Sequence, residues 1–171
     1  MKIDELKRTI EHVGTGIPPD GDWLPMLIAE KDIGGEKPST TIIPMPGSTD
    51  DEATRMIAAL AITGTLRTLK ATAAVWITTA WTVRLDHATD AEKRDVMNLA
   101  RQHKLMQHHA KIECVVAMVA ARHAPMIGLT GRIIRSRDNH PKIEWMKDWD
   151  ENGSAHFGGR FPEALREGVN W

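Results

Sequence analysis

The chain has no tyrosine and two phenylalanines, yet it carries six tryptophans. Its aromatic surface is therefore mostly indole, a broad apolar body with one N–H that seeks a partner when buried. A single cysteine, Cys114, excludes an intramolecular disulfide and with it a disulfide-stapled secreted scaffold. Cys114 lies inside an apolar run, so it is expected to be an inert core thiol in a reducing, cytoplasmic setting. No apolar run reaches the roughly 18 to 20 residues a bilayer requires, and no membrane association is expected. The opening MKIDELKRTIEHV is charged and amphipathic, unlike the basic stub and apolar stretch of a secretory signal, and none is expected. Surplus charge is lacking as well, with 22 basic residues against 23 acidic ones. Binding to nucleic acid rests on neutralising phosphates, so this balance argues against such a partner.

Familiar chemical fingerprints are also missing. The glycines at 14 and 16 and the FGGR at 157–160 match neither the P-loop nor the dinucleotide-binding pattern. Ser154 lies outside a G-x-S-x-G elbow, and Cys114 sits where a thiolate would be costly. The carboxylates at 50–52 suit a helix start, and those at 148, 150 and 151 end a strand. No catalytic residue and no cofactor are expected from these patterns.

What is present is a clear strand. Residues 73–85, AAVWITTAWTVRL, alternate with period two: Val75, Ile77, Thr79, Trp81, Val83 and Leu85 share one face, and Ala74, Trp76, Thr78, Ala80, Thr82 and Arg84 the other. The first set, Trp81 included, is expected to be buried, and the mixed second set to be a shallow open face. KIECVVAMVAARH, 111–123, is apolar on both faces and reads as a central strand with Val116 and Met118 buried. Strands are also expected over 40–45, 126–136 and 142–149. Helices are expected over 1–13, from a cap at Thr49 to about Lys70 with Gly64 approaching the sheet, from a cap at Thr89 to about His108, and over FPEALREG with Pro162 near its start and Gly168 past its end. The fold class is thus α+β, an antiparallel five- to six-stranded sheet flanked by helices. At 171 residues one domain is expected over 1–171, with a helical insertion at about 88–109 and a loose C-terminal tail at about 150–171.

In element order the chain resembles the roadblock and longin families of profilin-like domains, which implies a five-stranded antiparallel sheet with helices around it and implies no activity. The segment WITTAW, 76–81, following a capped helix and a glycine-bearing hairpin, resembles the corresponding strand in a group of bacterial and phage hypothetical proteins. That likeness implies a bacterial or phage origin and brings no function with it.

Three sets of side chains remain as candidate sites. Trp76, Trp145 and Trp149 are expected to share a partly open sheet face, as an interface or ligand shelf. Arg132, Arg135 and Arg137 cluster around the last hairpin with His140 and Lys142; forked guanidinium groups suit phosphate, while interleaved acids favour a solvated hairpin. His103, His108 and His109 fall in HKLMQHH, downstream of His87 and Glu92. Offsets of five and six from His103 fit one helix face poorly, so capping or solvated roles are favoured over a metal site. Two functions follow. The preferred one is a non-catalytic interaction module that forms a homo-oligomer, with Trp76 at the contact, or docks a protein partner. The alternative is a small metal- or nucleotide-binding protein, or a hydrolase, using the His-rich stretch and the basic hairpin.

Overall fold

A computed structural model of the chain describes residues 2–18, 21, 23–34, 37–45, 51–85, 87–102, 104–136, 139–146, 149–150 and 160–171. The elements in order are α1 (Ile3–Thr15), β1 (Met26–Lys31), β2 (Ser39–Pro44), α2 (Glu52–Leu69), β3 (Ala73–Val83), α3 (Asp90–Arg101), a 3-10 turn (Leu105–Gln107), β4 (Lys111–Ala121), β5 (Ile127–Ser136), β6 (Asn139–Trp145), β7 (Trp149–Asp150) and α4 (Arg160–Val169). Six strands run in the order β2-β1-β3-β4-β5-β6, every pair antiparallel, and the two-residue β7 pairs with β5. The protein is therefore α+β with an antiparallel sheet, and β3 to β6 form a meander. Among the described residues no helix is long and apolar enough to cross a membrane.

Helices pack against both faces of the central part of the sheet. On one side α1 lays Leu6 and Ile10 against Ile28, Val75, Ile77, Val115, Leu129 and Ile133. On the other, α2 and α4 pack Ile62, Leu66, Leu165 and Val169 against Leu27, Ala74, Trp76 and Ala120. This explains why β3 reads as a strand with one good face yet has all of Ala73 to Ile77 buried. The second face is small wherever a helix must come close, and Trp76 fills the gap left by its alanine neighbours.

The exposure of β3 changes partway along. β1 pairs with β3 only as far as Met26↔Ile77, so the stretch from Thr78 to Val83 has β4 as its strand neighbour in the ladder. Its side chains are half-buried or exposed. Trp81 is 39% exposed, which corrects its expected place in the core. The Lys111 ammonium stands 5.2 Å from the Trp81 ring centroid and shields part of it. Val116 and Met118 in β4 are half-buried.

Helix boundaries follow local chemistry. Asp51 is the N-cap of α2, its carboxylate accepting the Thr54 N–H at 2.9 Å; the cap expected at Thr49 lies outside the described residues. Lys70, at φ 54°, ends that helix in the left-handed region. Thr89 and Glu92 form the capping box that their spacing predicts, and α3 then ends at Arg101, short of His108, because the chain turns back towards β4.

Of the tail expected to be loose, residues 160–171 instead hold α4 and its packed end, while 151–159 lie outside the described residues. In α4, Ala164, Leu165 and Val169 are buried, and Thr63 Oγ1 of α2 donates to the Ala164 carbonyl at 3.2 Å. Gly168 is inside this helix, not after it, and a Cβ there would stand 2.6 Å from Leu66 Cδ1, so it serves the close packing of α2 rather than a helix stop. Beyond α4, the Trp171 indole donates to the Ala71 carbonyl at 3.0 Å and lies under the Arg122 guanidinium at 4.1 Å. Gly64, expected against the sheet, is exposed on α2, and a Cβ there would meet nothing within 4 Å.

Candidate functional site

The three tryptophans expected to form one shelf do not. Trp76 is 0% exposed, and its ring stacks on Phe161 of α4 at 5.0 Å between centroids and 15° between planes. A ring so enclosed offers nothing to a partner, which corrects its expected place at an interface. The register shows why Trp145 cannot join it. Trp76 is level with Gly128 through Met118, whereas Trp145 is level with Gly131, an odd separation along β5 that puts the two rings on opposite faces. Trp145 packs beside α1, donating its indole N–H to Glu11 at 2.6 Å under the Lys7 ammonium. The backbone of Trp149 pairs with Gly128, and its side chain lies outside the description.

The basic hairpin is divided by the same alternation. Arg132 is exposed and sits between Cys114 of β4 and Glu144 of β6 in the ladder. Arg135, three residues on, reaches the other face, where its guanidinium forks onto both Glu113 oxygens at 2.7 Å and also donates to the Gly21 carbonyl at 2.9 Å. That fork ties β5 to β4, so Arg132 and Arg135 do not form a common phosphate clamp. Arg137 lies outside the described residues.

The histidines fare differently. The β3–β4 ladder closes at Val83↔Lys111, which makes the residue after β3 and the residue before β4 spatial neighbours. Between those ends the chain passes through α3 and the 3-10 turn, and it borders a solvent-open cavity of about 460 Å³. Arg84 and His87 line it from the end of β3, Glu92 and Val96 from α3, and His108 and His109 from the return. The two returning imidazoles stack at 4.5 Å, and the Ala110 N–H donates to His108 Nδ1 at 3.1 Å, which fixes that ring. Glu92 Oε2 accepts from the Thr89 N–H and hydroxyl, each at 2.7 Å. Those bonds, with a smaller contribution from His109 and His108, hold the Glu92 carboxyl below its usual range.

Sequence spacing had grouped His108 and His109 with His103, which lies outside the described residues. The residues that join them are Arg84 and His87, more than twenty positions upstream in sequence and brought in by strand pairing. Among the described residues no three His, Cys, Asp or Glu side chains are placed to hold a metal ion. Cys114 is buried and free, and burial pushes its thiol up against the weaker opposing charge of Arg132.

A second surface stands out by its composition. The outward side of α2 carries Ala53, Met56, Ile57, Leu60, Ala61 and Gly64, all exposed, at the spacings that share one helix face. Met56, Ile57 and Leu60 are 45%, 65% and 67% exposed. The helix is apolar on both sides: Ile62 and Leu66 face the sheet, and this second stripe faces away from it.

Among the described residues, the fold is α+β with helices packed on both sides of the sheet, a solvent-open cavity where β3 gives way to the return into β4, and an exposed apolar stripe on α2. No protein-family model, no curated protein and no solved structure matches the chain.

Proposed function

We propose that this protein is a non-catalytic module whose task is self-association, two copies pairing through the outward faces of α2. The observation that supports the reading is the exposed stripe centred on Ile57 and Leu60. Covering a large aliphatic side chain gives roughly 1.5 to 3 kcal/mol, and a two-fold axis counts each residue twice. The small residues Ala53, Ala61 and Gly64 allow two helices to approach closely. An antiparallel crossing near Leu60 also sets the acidic end of each helix, Asp51, beside the basic end of its partner, Lys70, and opposes the helix dipoles.

The expected pair is weak. An 18-residue helix is about 27 Å long, and its single face falls short of the ~800 Å² per partner of a standard interface. The charged groups beside the stripe on α4, Arg160, Glu163 and Glu167, form its rim and set register. Light scattering across a concentration series tests the reading. The native chain is expected to pass from monomer to dimer in the micromolar range, and Leu60→Glu to remain monomeric with an unchanged melting temperature. Gly64→Arg serves as the second variant, since its side chain enters open space in the monomer and blocks the close approach of a partner helix. A native chain that stays monomeric at high micromolar concentration overturns the proposal.

A further inference from the structure

We infer that the free edge of β3 from Thr79 to Val83 is a strand-addition site for a short extended peptide segment of a partner protein. This edge is separate from the α2 surface and does not depend on self-association. Backbone groups along β3 point alternately to its two sides, and two hydrogen bonds fix the phase. The Thr72 carbonyl accepts the N–H of Arg122, just past β4, at 2.9 Å, and the Pro25 carbonyl accepts the Met45 N–H, on the β2 side, at 2.8 Å. Even-numbered residues of β3 therefore turn their N–H and C=O groups to β4, and odd-numbered ones turn theirs to β1. β1 meets Ala73, Val75 and Ile77 in this way and pairs no further. Thr79, Trp81 and Val83 aim their N–H and C=O groups into the row beyond β1, where among the described residues no strand pairs with them. The Thr79 carbonyl receives the Thr78 hydroxyl at 3.4 Å, a long contact that leaves it able to accept another hydrogen bond.

This edge lacks the guard that the outer strands carry. Pro44 in β2 and Pro141 in β6 each remove an N–H from an outer strand, a common defence against pairing with another chain. Thr79 to Val83 holds no proline and no charged residue. At ~3.4 Å per residue it gives a row about 17 Å long, room for a partner strand of the same length. Trp81 supplies the side-chain contact. Its partly exposed ring stands on the α1 side of the sheet, and Lys111, over that ring, donates to the carbonyl of the exposed Met106 at 2.6 Å. An aromatic or β-branched residue of the partner, directly across from Trp81, covers the indole. A second copy of β3 fits less well. Pairing Trp81 with its own counterpart carries the copy's Arg84 into the row that Pro25 and Met26 hold, whereas a short peptide ends before it.

Random peptides displayed on phage, selected against the full chain, are the probe, and the most enriched sequence is then synthesised. Enriched sequences are expected to carry aromatic or β-branched residues at every second position, and the synthetic peptide to bind saturably in titration calorimetry. N-methylation of its backbone should divide its amides into two alternating sets. Methylating an amide that faces β3 weakens binding about tenfold, the scale of one lost hydrogen bond, and methylating the next one leaves binding unchanged. Amide hydrogen exchange on the chain is the second readout. Thr79, Trp81 and Val83 should exchange fast in the free chain, beside protected Thr78, Ala80 and Thr82, and slow by about tenfold with peptide bound. Val83→Pro, which deletes one outward donor and leaves the bonds to β4 in place, should weaken the peptide at an unchanged melting temperature; should that variant unfold, N-methylation and exchange carry the test. Five results overturn the inference: no enriched peptide that binds saturably, no alternation in the N-methyl series, full affinity in a folded Val83→Pro, protection by peptide that falls on α2 instead of β3, or protection of Thr79, Trp81 and Val83 in the free chain that grows with its concentration, which assigns the edge to a second copy.

Discussion

Trp76 of β3 and Phe161 of α4 stack with ring centroids 5.0 Å apart, although 85 positions separate them in the chain. This contact joins the C-terminal helix to the centre of the sheet. The Trp76 indole N–H is buried with no hydrogen-bond partner in the described structure, so the ring is held by packing and stacking. Trp76→Ala should therefore destabilise the fold by about 3 to 5 kcal/mol, measured by denaturant unfolding. A double-mutant cycle with Phe161→Ala should return about 0.5 to 1.5 kcal/mol of coupling. A Trp76→Ala protein that keeps its stability and only loses mass in light scattering would put the ring at an interface after all.

Gly168 and Leu66 form a close helix–helix approach on that side of the sheet. A Cβ at Gly168 would lie 2.6 Å from Leu66 Cδ1 and 2.8 Å from Leu66 Cβ, and the second atom cannot swing away. Gly168→Ala is expected to cost roughly 1 to 3 kcal/mol despite alanine's better helix propensity. Combining it with Leu66→Ala should cost less than the sum of the two, because the cavity from one change admits the methyl of the other. Strict additivity would show that α2 and α4 are not in contact here.

Acid should loosen the starts of α2 and α3. Asp51 and Glu92 have folded pKa values lowered from 3.8 and 4.5, mainly by hydrogen bonds from Thr54 to Asp51 and from the N-cap Thr89 to Glu92. A lowered folded pKa stabilises the protein above the unfolded value, and that contribution is lost as pH falls through the folded one. Melting temperature should accordingly decline as pH drops below about 4.5, the higher of the two ordinary values. Asp51→Asn, which keeps an N-capping oxygen without a titrating charge, combined with Glu92→Gln, should flatten part of that decline. An identical acid profile in the double variant would mean that other carboxylates govern it.

Cys114 is enclosed in β4, and burial raises its thiol pKa, so the reactive thiolate is scarce. A chromogenic disulfide reagent should label the native chain only at the rate at which it opens, and label the urea-unfolded chain at once. Stoichiometric labelling of the native chain within the mixing time would contradict the strand placement.

The sequence by itself determined the elements whose signals are local. Alternation over 73–83 and two-sided apolarity over 111–121 specify strands because side-chain direction is set one residue at a time. Thr89 and Glu92 specify a helix start because both partners of the capping box lie within one turn. What the tertiary structure decided is which side chains meet and which stay open to solvent. Period two puts Trp76 and Trp81 on opposite faces, but the end of β1 at Met26↔Ile77 is what leaves Trp81 partly bare. The faces of Trp76 and Trp145 depend on register carried across three strand pairs, where a one-residue slip would reverse the result. Arg84 and His87 join His108 and His109 because the β3–β4 ladder closes at Val83↔Lys111, a pairing that no spacing within the intervening residues expresses. The two apolar sides of α2 are written in the chain, yet which one is covered was settled by α4, arriving from the far end of the sequence onto Ile62 and Leu66 and leaving Ile57 and Leu60 in water.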